Sequence, residues 1–214
     1  MDYIEFDDYW INNNTIIIKL SFNDNIDLID FNDNIISLIF TNYEKIDDTI
    51  KNININNNII IYKCSLFNQS VDNLPPTLQN LTFGCSFNQC VDNLQQSLLN
   101  LTFGYYFDQQ VDNLPQGLLN LTFGDNFNQS IDNLPNTLIR INFISYYNYC
   151  IFNKELNCLP NSICEIKLPI NYEQEIKQIP SGLKKIYCLS SYQFIDKFND
   201  IELIDKKLKN KITE

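Results

Sequence analysis

The chain has 214 residues, of which 44% are hydrophobic and 19% charged, enough for one globular domain with a continuous core. Its formal net charge is −11, and no Lys or Arg lies between Cys64 and Ile139, which excludes a basic face for nucleic acid. It contains no His, so Ser-His-Asp and Cys-His catalysis and His-ligated metals are excluded as well.

The N-terminus, MDYIEFDDYW, is acidic and lacks the basic-then-apolar pattern of a signal peptide. Residues 1–15 are expected to form an N-terminal cap, with Tyr3, Ile4, Phe6 and Trp10 covering the first structural turn. Residues 16–63 read as degenerate repeats. Phe31, Ile35, Leu38 and Phe40 are spaced 4-3-2, as are Ile46, Ile50, Ile53 and Ile55, and a further imperfect unit ends near Ile61.

Residues 64–143 are the regular part. Segments 71–90, 91–110 and 111–130 read VDNLPPTLQNLTFGCSFNQC, VDNLQQSLLNLTFGYYFDQQ and VDNLPQGLLNLTFGDNFNQS, and 131–143 begin a fourth copy. The period is 20 residues without slippage. Within one unit the apolar positions are Val71, Leu74, Leu78, Leu81, Phe83 and Phe87. The step of two from Leu81 to Phe83 fits a strand, and the steps of three and four fit a curved return path. One such coil cannot stand alone. Ordering a residue costs about 1–2 kcal/mol of backbone entropy, so neighbouring coils must close both sides of each. Leu78, Leu81 and Phe83 follow the L-x-x-L-x-L pattern of leucine-rich repeats, and the tandem LTFG-x-x-FNQ-x-[VI]-DNLP resembles the FNIP repeat. That family is known from social amoebae and the giant viruses that infect them. The resemblance implies a leucine-rich-repeat-like solenoid, with short parallel strands on one face and irregular return segments. It also implies a protein-interaction scaffold of the kind linked to ubiquitin ligases through an F-box. This chain departs from that plan, because its first 20 residues are too short for an F-box.

Several columns follow from the register. Phe83, Phe103 and Phe123 should stack, as should Phe67, Phe87, Phe107 and Phe127. Gly84, Gly104 and Gly124 suit positive φ or close backbone approach after the strand. One of the columns Asn68/Asn88/Asp108/Asn128 and Asn73/Asn93/Asn113/Asn133 is expected to satisfy backbone groups of adjacent coils. Asp72, Asp92, Asp112 and Asp132 read as turn caps, with a cation-binding stripe as the alternative. Outward-facing positions where the copies differ carry information for a partner. They are Cys85, Ser86, Tyr105, Tyr106, Asp125 and Asn126, with the tyrosines as candidate anchors.

Residues 144–189 continue as degenerate repeats with a five-residue insertion, a bulging loop rich in Tyr146, Tyr147 and Tyr149. In 190–214, Phe194, Phe198, Ile201, Ile204 and Leu208 recur at helical steps and predict a capping helix over about 192–211. About ten coils are expected in all, roughly 45 Å of stack at about 4.8 Å per strand.

The seven cysteines are odd in number and without a C-x-x-C pair, and Cys85 and Cys90 exchange with other residues between copies. They read as reduced thiols in a cytoplasmic setting, the host cytoplasm if the source is viral. No phosphate-binding loop occurs and no run of 18 apolar residues could span a membrane. The expectation is a non-enzymatic protein without cofactor, metal or catalytic residues, binding a protein partner, with a basic one favoured by charge. The alternative is a structural repeat protein with no dedicated partner.

Overall fold

The computed structural model describes residues 4–5, 9–12, 15–18, 37–40, 65–145 and 149–205. The 20-residue unit folds as a coil with one short strand, and the strands join side by side into a single sheet ordered β1 to β11. The strands are β1 Ile4–Glu5, β2 Tyr9–Asn12, β3 Thr15–Ile18, β4 Ser37–Phe40, β5 Asn80–Thr82, β6 Asn100–Thr102, β7 Asn120–Phe123, β8 Arg140–Phe143, β9 Glu165–Lys167, β10 Lys185–Cys188 and β11 Glu202–Asp205. From β3 onward every pairing is parallel. Paired positions advance by 20, 20, 20, 25, 20 and 17 residues from Asn80 to Glu202. This is the expected solenoid: Leu81, Leu101, Leu121, Ile141, Ile166 and Ile186 form one row of register partners, and all are buried.

Alternation along each strand turns one side chain in and its neighbours out, as in the buried Leu81 between half-buried Asn80 and Thr82. The return path is shaped by a repeated turn. The N–H of Leu78, Leu118, Leu138, Ile163 and Leu183 donates to the carbonyl of the residue three back, each time a proline, at 3.0–3.2 Å. Proline serves there because only its C=O is needed. Gln95 takes the same role for Leu98.

Two rows of rings fill the interior. Phe83 lies on Phe87 at 3.7 Å, Phe103 on Phe107 at 3.6 Å and Phe123 on Phe127 at 3.8 Å, with interplanar angles of 3°, 5° and 11°. Successive members of one row stand 5.6–6.2 Å apart, from Phe67 to Tyr172 and from Phe83 to Phe143.

The ends differ from the expectation in three ways. First, β1 and β2 extend the sheet as an antiparallel meander on β3, with Trp10 opposite Ile17. Tyr3 and Phe6 fall outside the described residues. Second, β4 pairs directly with β5, Ser37 opposite Asn80, although 43 residues separate them. No strand stands between these two, so the expected units with strands ending at Ile55 and Ile61 do not intervene. Residues 41–64 are outside the described region, and nine parallel strands stand against about ten coils expected.

Third, the expected capping helix is not formed by the described part of 190–214. One turn of 3-10 helix, Ile195–Phe198, leads into β11, which pairs in parallel with β10. The apolar steps that predict a helix also occur in the return path of every coil. Here Phe198 is 1% exposed beneath Tyr192 and closes a shorter, 17-residue coil. Residues 206–214 lie outside the described region.

Candidate functional site

The polar positions of the unit are occupied by bonds between coils. On the outer face of the sheet the Asn100 amide donates to Asn80 Oδ1 at 2.6 Å and Asn120 to Asn100 Oδ1 at 2.5 Å, and Arg140 donates to Asn120 Oδ1 at 3.2 Å. The row then becomes charged, with Arg140 paired to Glu165 and Lys185 to Glu202. The Glu202 carboxylate holds the Lys185 ammonium above its ordinary pKa.

Both candidate ladder columns are used. The main-chain N–H of Asn88, Asp108 and Asn128 donates to Oδ1 of Asn68, Asn88 and Asp108 at 2.8, 2.9 and 2.8 Å. Gln89, Gln109 and Gln129 add side-chain bonds to the same oxygens. In the second column, Asn93, Asn113 and Asn133 donate their side-chain amides to Asp72, Asp92 and Asp112 of the preceding coil at 3.1, 3.2 and 3.0 Å.

The other carboxylate oxygen is capped from within the coil, by Ser70 on Asp72, Cys90 on Asp92 and Ser130 on Asp132. The Ser70 hydroxyl, and then the Asn93 amide, hold the Asp72 carboxyl below its ordinary pKa. Asp132 raises the pKa of the nearby Cys158 thiol, chiefly by its charge. The aspartates therefore act as turn caps wired to the next coil, and no group of three or more His, Cys, Asp or Glu able to hold a metal ion occurs among the described residues.

What remains for a partner is the corner where the chain leaves the strand. There the coils approach closely. A Cβ on Gly104 would lie 2.1 Å from the Gly84 carbonyl oxygen, and one on Gly124 would lie 2.2 Å from that of Gly104. Close approach, and not a left-handed backbone, fixes glycine at these two positions. The N–H groups of Ser86, Tyr106, Asn126 and Ile151 donate to the carbonyls of Ser65, Cys85, Tyr105 and Asp125 one coil back, at 2.8–3.3 Å. The jump from Asn126 to Ile151 marks the insertion, closed by Ser145 Oγ on the Tyr149 carbonyl at 3.1 Å. Tyr146 and Tyr147 are outside the described residues.

The six candidate residues divide at this corner. The first residue after the glycine turns back under it, so Cys85 is 8% exposed and Asp125 1%; these two are buried and do not face outward as expected. The second residue points away: Tyr106 is 51% exposed, and Ser86 and Asn126 are half-buried. Tyr105 is too large for the inner place and stays half-buried, its ring edge-on to Tyr106 at 4.7 Å and 84°. The same corner carries Leu66 and Tyr149, both exposed. Leu66 was not singled out by the sequence, because it precedes the first regular unit. Position 86 of the unit, shared by Leu66, Ser86, Tyr106 and Asn126, is the signal that would have found it.

Residues 110–146 match the family model of the FNIP Repeat. No curated protein matches the chain. Among solved structures the chain is similar to CroV588, described as a novel circular LRR protein structure, at 23% identity and a TM-score of 0.46. The match covers 86% of this chain and 38% of that one, so this chain spans well under half the length of that protein.

Proposed function

We propose that the protein is a recognition scaffold whose binding edge is the corner built on Tyr105 and Tyr106. One observation carries this reading. The repeated Asn, Thr and Asp positions are occupied by bonds along the stack, while the corner changes identity from coil to coil and presents Tyr106, Leu66 and Tyr149 to solvent. Tyrosine offers large contact area with few rotors to immobilise, which suits an interface anchor. The charge of −11 steers a basic partner toward it. The resemblance to repeats that accompany F-boxes extends the proposal to presenting a captured protein to a ubiquitin ligase. Catalysis forms no part of it.

The test compares affinity capture by the native chain and by Tyr105→Ala/Tyr106→Ala. A partner recovered reproducibly and lost with the double variant, at unchanged melting temperature, is the expected result. Equal recovery by both, or none by either, would favour a structural protein with no dedicated partner.

The same reading puts the protein in the cytoplasm. It is supported by the Asn-Leu-Thr triplets at 80–82, 100–102 and 120–122, which are acceptor patterns for N-glycans. A glycan would attach at the amide nitrogens that Asn100 and Asn120 donate along the sheet. Strands about 4.8 Å apart leave no room for three sugars side by side. Directed through a secretory pathway, the chain should misfold in a glycosidase-sensitive form. Removing the acceptors by Thr82→Val, Thr102→Val and Thr122→Val should restore folding. A folded, fully glycosylated product would sink this assignment.

A further inference from the structure

The two rows of rings part company toward the C-terminal end. In four coils a strand-end ring lies against a ring of the second row: Phe83 on Phe87, Phe103 on Phe107, Phe123 on Phe127, and Phe143 on Phe152 at 4.3 Å. In the next two coils the second row continues as Tyr172 and Tyr192. Each is pinned by its hydroxyl to a main-chain carbonyl, Tyr172 to Lys154 at 2.9 Å and Tyr192 to Gln174 at 2.6 Å. The first row does not continue, for Leu168 and Cys188 stand where phenylalanine stood.

All four of these residues line a cavity of about 390 Å³, within the range of ligand pockets. Its floor is buried, with Leu168 0%, Cys188 2% and both tyrosines 5% exposed. Its rim carries the exposed polar residues Asn171, Glu173, Ser191 and Gln193.

We propose that this cavity receives an aromatic side chain of a partner protein, its ring taking the place that Phe83, Phe103, Phe123 and Phe143 fill in the earlier coils. The proposal rests on the recognition reading above and names the chemistry recognised. The molecule supplies the template for the occupant, since the same position is filled by a stacked ring four times over. The tyrosine faces are held in place beforehand, so little order is lost when a ring docks. Glu173 is the charged residue of the lining, and with the net charge of −11 it selects an aromatic residue flanked by Lys or Arg.

The test uses acetyl-Lys-Tyr-Lys-amide, acetyl-Lys-Leu-Lys-amide and p-cresol, with binding followed through the amide resonances of 168–173 and 188–193 in the full chain. The tyrosine peptide should bind at least tenfold tighter than the leucine peptide and tighter than p-cresol. Cys188→Phe and, separately, Leu168→Phe rebuild the missing ring and should abolish binding while the protein still melts cooperatively. Two variants are used because Leu168 is fully buried and its replacement alone could disturb the fold. Equal binding of the two peptides, stronger binding of p-cresol, or unchanged affinity in a folded Cys188→Phe variant would overturn the proposal. Capture of a partner that needs Tyr105 and Tyr106 but tolerates Cys188→Phe would overturn it too, and would leave the recognition reading standing.

Discussion

The side-chain oxygen of Asn88 accepts the main-chain N–H of Asp108 at 2.9 Å, and Asp108 returns the favour to Asn128 at 2.8 Å. A side chain here replaces the carbonyl that a regular sheet would supply, and it does so once per coil.

Removing that oxygen should leave a part-buried N–H without its acceptor, at a cost of about 1–3 kcal/mol. Asn88→Leu is therefore expected to lower the melting temperature clearly. Asn88→Asp should be tolerated, because Asp108 already does the same work one coil on. Thermal denaturation of the two variants side by side checks this; equal stability would remove the ladder from the account.

Glycines at two places should respond in opposite directions. Gly104→Ala puts a methyl 2.1 Å from the Gly84 oxygen and should cost about 3 kcal/mol or prevent folding. Gly117 has ordinary space, its nearest neighbour being the Gln96 oxygen at 3.4 Å. It occupies the column in which Ser97, Thr137 and Ser162 donate to the Leu78, Leu118 and Leu138 carbonyls. Gly117→Ser should supply the missing hydroxyl for Leu98 and gain about 1 kcal/mol, through less freedom in the unfolded chain and one more bond. Urea titration would show the sign.

Burial pushes the Tyr192 phenol up to about 12 and raises Tyr172 as well. A raised pKa in the fold means that the neutral phenol contributes stability fully below the unfolded value of about 10. That contribution is lost as pH rises from about 10 toward 12. Alkaline unfolding is expected in this window. Tyr192→Phe should be somewhat less stable at pH 7, having lost the bond to Gln174, yet less sensitive to alkali. A parallel shift at all pH values would contradict the assignment.

Asp72 works in the other direction. Its carboxyl is depressed by Ser70 and Asn93, so its contribution is present above the unfolded value near 3.8 and is lost as pH falls through the lower folded value. The native chain should lose stability progressively below about pH 5. Asp72→Asn should show a flatter acid limb in melting temperature against pH.

The regular coils were legible in the sequence because their register is stated four times: a step of two marks the strand, and a single 20-residue period fixes every partner from Asn80 to Arg140. The corner was legible as a place and misread in its directions. Counting outward positions through Gly84 assumes that the strand goes on, but the chain bends there, which buries Cys85 and Asp125 and turns Ser86 and Asn126 out. The C-terminal end misled for a related reason. Phe194, Phe198 and Ile201 step by four and three as a helix would, yet the steps from Val71 to Leu74 to Leu78 do the same on an irregular path. The cavity beside Tyr172 and Tyr192 was beyond reach, because it depends on which ring each residue would have stacked against.

The bonds carried by Asn80, Asn100 and Asn120, and by Asn88 and Asp108, all point along the stacking direction. Tension applied across the stack would load these links in series, as in a coiled spring whose windings are tied to one another. Rupture would then proceed winding by winding, each release lengthening the filament by roughly 65 Å, the reach of 20 extended residues less one strand spacing. The protein is thus built to yield in equal increments when stretched, and to rewind from whichever windings stay closed.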